Sequence, residues 1–240
     1  ELKKELERTH SPMFLVPPYF YFSSMKDAWA EVNLDLAKRM KDIAPEGVEV
    51  VPVLLTDAAA LGEEVLDSYK KSGFSRLIIW PNDLNEKSGQ EGAVELSKLK
   101  SLVSFAKSAQ TKDMKLISLY GSYFSVMLSK FSVEGVCHGI FYGEYKNKKA
   151  VLGGGSPPSR YYVRAIHEFL PIPTAIALLS NEEGKDLLAT DTKECMALID
   201  GKPANILRFD AEPKWAQIHF LHARQQEVAY VEGHTTEEQC

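Results

Sequence analysis

Residues 48–83 read VEVVPVLLTDAAALGEEVLDSYKKSGFSRLIIWPND. Two β-branched, almost uninterrupted apolar runs, 48–55 and 76–80, flank a helical stretch over 58–71 that stops at Gly73. A strand that faces water on one side alternates apolar and polar residues. These runs do not alternate, so both of their faces are buried. A helix between two such strands makes a parallel βαβ unit.

The same rhythm extends outward from this unit. Downstream, a helix over 93–109 leads to a strand over 115–119, closed by Tyr120, Gly121 and Ser122. A short helix over 123–131 then precedes a strand over 136–142, closed by Gly143 and Glu144. Upstream, the aromatic run 13–22 reads as a strand interrupted by Pro17 and Pro18. It feeds a helix capped by Ser24 or Asp27. The apolar stripe of that helix is Ala28, Trp29, Val32, Leu36, Ala37, Met40 and Ile43, and Pro45 and Gly47 end it. Residues 1–9 read as the end of a charged helix.

Repeated units of this kind predict an α/β fold with parallel strands. Right-handed crossovers place the carboxyl ends of all the strands on one rim. The pattern fits all, or the later part, of a (β/α) TIM-type barrel. An open flavodoxin-like sheet is the alternative. On the barrel reading, earlier strands precede Glu1, where the sequence begins without methionine. We expect a single α/β domain over 1–240, with βα units over about 12–145 and a loop-rich, helical extension over about 146–240. In that extension 161–170 and 175–179 read as either helix or strand. Helices are expected from near Asp191 to Gly201 and from after Asp210, with Pro213 in the first turn, to about Val231, the last with Trp215, Ile218, Leu221 or His222, and Val228 inward.

Composition narrows the function classes. The net charge of -5 opposes a non-specific grip on nucleic acid, leaving Lys146, Lys148, Lys149, Arg160 and Arg164 as the support for a nucleic-acid-associated protein. Cys137, Cys195 and Cys240 are scattered without a CxxC spacing, as free thiols of a cytoplasmic protein would be. No apolar run reaches the roughly 20 residues of a membrane span.

The rim gathers the chemistry. Reading the strand ends gives Asp57, Asn82, Asp83, Tyr120, Gly121, Ser122 and Glu144. The acids suit general acid–base or nucleophilic chemistry, and equally suit helix capping. They could also ligate a divalent cation, although no spacing indicates one, so no residue is assigned to a metal. His138 shares a strand face with Glu144 if that strand is regular, and joins the catalytic candidates Asp57, Asp83 and Glu144. The stretch LISLYGSYFSVMLSKFSVEGVCHG, residues 116–139, resembles the last two βα units of phosphate-binding (β/α)8 barrels. That resemblance implies that backbone N–H groups at its glycines hold an anion.

In GGGSPPSRYY, residues 153–162, Gly153, Gly154 and Gly155 permit a close backbone approach to a ligand. Arg160 adds a forked donor and Tyr161 a stacking face. No nucleotide-cofactor motif is present. His219 and His222, spaced i, i+3, read as surface residues.

The expected function is an enzyme acting at the rim on a small polar or phosphorylated molecule, nucleotide-like or sugar-like. Its carboxylates would serve acid–base or nucleophilic steps of a hydrolase, lyase or transferase. The alternative is a non-catalytic scaffold subunit of a homo-oligomer or larger complex, with PPYFYF and the final helix as contact surfaces.

Overall fold

The computed structural model describes residues 13–84, 95–137 and 158–233. They fall into two compact units, one ending at Cys137 and the other holding residues 158–233.

The first unit is built on parallel strands. Strand β1 (Phe14–Leu15) pairs with β2 (Glu49–Val50), matching Leu15 to Val50. The Val51 N–H still donates to the Leu15 carbonyl, but Pro17 has no N–H for the next rung and this pairing ends. The same segment continues as β3 (Val53–Thr56). Phe22, beyond Pro17 and Pro18, rejoins this segment through a parallel bridge to Thr56. Next come β4 (Arg76–Pro81), β5 (Lys115–Leu119) and β6 (Val133–Cys137), and the four-stranded sheet runs β3-β4-β5-β6, all parallel. At the amino ends, Arg76 of β4 forms ion pairs with Glu49 of β2 and Glu134 of β6.

Helices α1 (Ala28–Ile43), α2 (Glu63–Lys71), α3 (Leu96–Thr111) and α4 (Tyr123–Met127) connect the strands. Sequential strand order combined with right-handed crossovers sends every helix to the same face. The packing agrees. Ala30 and Ala37 of α1, Leu66 and Tyr69 of α2, and Leu102 and Phe105 of α3 share one core with Leu54, Leu77, Ile79 and Leu116. The alternate strand residues Val53, Ile78 and Ile117 form a second cluster with Val51, Phe14, Tyr19, Trp80 and Leu119, and no residue of these helices belongs to it. Among the described residues of this unit, the sheet therefore has a helix-covered face and a helix-free face. Among the described residues no strand pair closes it into a barrel. The described residues display an α/β fold with a four-stranded, all-parallel sheet, which the open-sheet alternative fits.

Two local expectations change. Strand β6 begins at Val133 rather than at 136 and includes Gly135, because the chain turns earlier, at Ser132 in a left-handed conformation. The expected strand from 138 onward lies outside the described residues. On α1 the buried face is Ala30, Asn33 and Ala37, whereas Trp29 is 48% exposed. Asn33 draws that face inward: its Oδ1 accepts from the Phe20 N–H at 2.8 Å and its Nδ2 donates to the Phe20 carbonyl at 2.7 Å.

The second unit is a hairpin with helices. Strands β7 (Arg160–Val163) and β8 (Glu168–Pro171) are antiparallel, and they resolve the ambiguity of 161–170. His167, in the left-handed region, turns the chain between them. Helices α5 (Ile172–Ser180), α6 (Glu182–Leu188), α7 (Lys193–Leu198), α8 (Arg208–Ala211) and α9 (Lys214–Gly233) follow. The run 175–179 is thus helical. Tyr161, Val163, Ile172, Leu179, Ile206 and Phe209 anchor the core of this unit.

The buried face of α9 is rotated from the expected one. Ala216, His219, Phe220, Ala223, Arg224, Glu227 and Val231 are inside, and Leu221 is 46% exposed. His219, expected at the surface, is fully buried. Apolar periodicity misplaced this helix because its inward stripe carries three polar residues, each with a partner in the unit.

Candidate active site at the carboxyl rim

Asp57 is extended backbone two residues after Leu55, so it continues the alternation of β3 onto the helix-free side, and Asn82, in the turn after β4, reaches it there. The carboxylate of Asp57 is held from both neighbours. The hydroxyl of Tyr21 donates to its Oδ2 at 2.7 Å, and Asn82 Nδ2 donates to its Oδ1 at 3.1 Å. The backbone fixes the donors in turn. Phe22 N–H donates to the Leu55 carbonyl at 3.2 Å, Thr56 Oγ1 donates to the Phe22 carbonyl at 2.6 Å, and Asn82 N–H donates to the Thr56 carbonyl at 2.8 Å. The hydrogen bond to the Asp57 carboxylate, helped by burial, pushes the pKa of Tyr21 up to about 12. Tyr21 therefore keeps its proton and remains a donor at neutral pH.

Asp83 is adjacent but faces the other way. Its Oδ1 accepts the N–H of Ala58 at 2.7 Å, and Lys98 of α3 lies 3.1 Å from its Oδ2. Lys98 also donates to Glu95 at 2.8 Å, and the two carboxylates, Glu95 foremost, hold its pKa above the ordinary lysine value. Asp83 thus ties the end of β4 to the turn after β3 and to α3.

The rest of the rim is aromatic and tightly turned. The ring of Trp80 lies 5.0 Å from that of Tyr120 and 6.3 Å from that of Tyr19, centroid to centroid. Tyr120 has φ 56°, and the Gly121 N–H donates to the Cys137 carbonyl at 3.2 Å. A Cβ on Gly121 would sit 2.5 Å from Ser125 Cβ and 2.7 Å from Val136 Cγ1, so only glycine lets this turn close. The Ser122 hydroxyl accepts the N–H of Phe124 as the cap of α4.

The structure thus brings Asp57, Asn82 and Asp83 together, with Tyr120, Gly121 and Ser122 at the end of the neighbouring strand. His138, Glu144, Gly153, Gly154 and Gly155 lie outside the described residues. Arg160 and Tyr161 belong to the second unit. Arg160 is half-buried at the start of β7, whereas Tyr161 is fully buried with its hydroxyl on Asp191. No group of three or more His, Cys, Asp or Glu able to hold a metal occurs among the described residues. No described helix is long and apolar enough to cross a membrane. A cavity of about 260 Å³ lies at the opposite end of the sheet, lined by Gln110, Lys115, Lys130 and Glu134, and takes in none of these rim residues.

The sequence reading missed Tyr21, Lys98, Tyr19 and Trp80, and named Tyr120 without its aromatic neighbours. A signal for the tyrosines was present. In YFYF, residues 19–22, a period of two puts Tyr19 and Tyr21 on one side of an extended segment and Phe20 and Phe22 on the other.

The second unit holds a separate polar network. Glu227 Oε1 accepts the hydroxyl of Tyr162 at 2.7 Å and lies 2.8 Å from His167 Nδ1, and Arg224 Nη1 is 2.9 Å from Oε2. Buried His219 lies with Nε2 2.7 Å from the Tyr162 carbonyl, which can only accept, so Nε2 carries the proton. Burial pushes the His219 pKa down to about 4, and burial pushes that of Asp191 up to about 6.

Comparison with known protein families, with curated proteins and with solved structures finds no match.

Proposed function

We propose that the chain is an enzyme acting on a small polar molecule at the carboxyl rim, with Asp57 as its proton-handling or nucleophilic carboxylate and Asp83 as a positioning residue. One observation carries this reading. The Asp57 carboxylate is gripped through both oxygens by donors from both flanking segments, Tyr21 and Asn82, on the face against which none of the described connecting helices packs. A carboxylate orienting a substrate must be held in place by rigid neighbours before the substrate arrives. A helix cap needs no such arrangement, and Asp57 makes no side-chain capping bond. Asp83, spent on Ala58 and Lys98, supports the turn that presents Asp57.

The test is a thermal-shift screen of small metabolites against the full chain, since a ligand present at about 100 times its Kd stabilises by about 2.7 kcal/mol. Hits should vanish in Asp57→Asn and persist in Asp113→Asn at the distant end of the sheet. Hits that ignore Asp57→Asn would remove the carboxylate from the site.

A scaffold role has one observation in its favour. Phe20 and Trp29 are exposed and in ring contact, with centroids 4.5 Å apart and planes tilted by 36°. On that reading Trp29→Ser lowers the assembly state in sedimentation, and an unchanged profile excludes it.

A further inference from the structure

We infer that the ligand of this rim is an uncharged ring that donates hydrogen bonds, through sugar hydroxyls or heterocycle N–H groups, rather than a phosphate-bearing anion. The inference rests on the reading that the rim around Asp57 is the site.

Three observations lead to it. First, Tyr19, Trp80 and Tyr120 form a row of half-buried rings inclined at 68° and 58° to one another, with Trp80 two residues before Asn82 at the end of β4. Faceted aromatic walls pack the flat face of a ring, whether of polarised C–H bonds or of another π-system. Second, the hydrogen-bonding groups beside that wall are a carboxylate and a carboxamide, Asp57 and Asn82. An ionised carboxylate only accepts, so it selects a partner that donates. Third, among the described residues the rim charge opposes an anion. Asp57 and Asp83 stand at adjacent strand ends, and the cation paired with Asp83, Lys98, is shared with Glu95. The Ser122 hydroxyl, at the strand end where the sequence suggested anion binding, serves the short helix α4 as its cap.

Ligand-observed NMR titration of the full chain tests this. The neutral probes are ribose, glucose, uracil and nicotinamide, which separate sugars from heterocycles. The charged probes are ribose 5-phosphate and uridine monophosphate. At low ionic strength at least one neutral ring should bind, and its phosphorylated counterpart should bind about fivefold more weakly or worse. Trp80→Leu should weaken the neutral probe about three- to tenfold, and Trp80→Phe should retain most of the binding. The inference is overturned if no neutral ring binds, if the phosphorylated forms bind more tightly, or if Trp80→Leu changes nothing.

Asp57→Asn separates the two ideas. If Trp80→Leu weakens binding and Asp57→Asn does not, the ring preference stands and the carboxylate role falls. If Asp57→Asn abolishes binding of a phosphorylated probe that outcompetes the neutral one, the carboxylate role stands and the ring preference falls.

Discussion

Acidification from about pH 7 to about pH 5 acts on two groups of the second unit in opposite directions. His219 is buried between Tyr161, stacked at 4.1 Å, and Phe209, and its pKa falls from 6.5 to about 4. The unfolded chain therefore takes up this proton first. Stability supported by neutral His219 is present above pH 6.5 and is lost as the pH falls toward 4. By pH 5 the loss is roughly 2 kcal/mol. Asp191 runs the other way. Its pKa rises from 3.8 to about 6, so the stability tied to its protonated form is full below 3.8 and gone above about 6. Acidification to pH 5 restores roughly 1 kcal/mol of it. The two effects largely cancel in the native protein. Asp191→Asn, whose carboxamide still accepts from Tyr161, removes the compensation and should cost about 2 kcal/mol between these pH values. His219→Gln should instead make the unit about 1 kcal/mol more stable at the lower pH. Urea titration of the full chain, read by hydrogen exchange in β7 and α9 at both pH values, measures each slope. If Asp191→Asn follows the native protein within about 0.5 kcal/mol, the opposing titrations do not exist.

Other outcomes follow from single contacts. Gly121→Ala forces a Cβ into Ser125 and Val136, and should cost about 1–3 kcal/mol in chemical denaturation of the first unit. Asp83→Asn keeps an acceptor for Ala58 but loses the charge facing Lys98. It should lower stability by about 1 kcal/mol and make exchange of the Ala58 amide faster, and an unchanged amide would mean that the tie is not formed. Glu227→Ala strands buried Arg224 and removes the acceptor of Tyr162, a change of about 3–5 kcal/mol; Glu227→Gln, which keeps the Tyr162 bond, should cost less.

The strand runs and the rim were legible in the sequence because both are local. A continuous apolar run such as 76–80 is buried on both faces wherever it sits, and residues such as Asp57 and Asn82 must stand at the strand end that precedes a turn. The helix faces were less legible. The buried stripe of α1 includes Asn33, and that of α9 includes His219, Arg224 and Glu227. Hydropathy scores all of these as outward, because it counts the cost of burying a polar group and not the partner that offsets it. Asn33 has the backbone of Phe20, and Glu227 has Tyr162 and His167, 65 and 60 residues away in the chain.

The candidate site divides along the same line. Sequence alone put Asp57, Asn82 and Asp83 on one rim, since parallel strands joined by right-handed crossovers have no other arrangement. Only the tertiary structure separated the two acids. Asp57 stands on the helix-free side, where Tyr21 and Asn82 reach its two oxygens, and Asp83, in the turn after β4, reaches Ala58 and Lys98. One carboxylate is held by side chains on that side of the sheet, and the other is spent on tying the turn to α3. That difference depends on which side of the sheet carries the helices, which the order of strands in space sets and their order in the sequence does not.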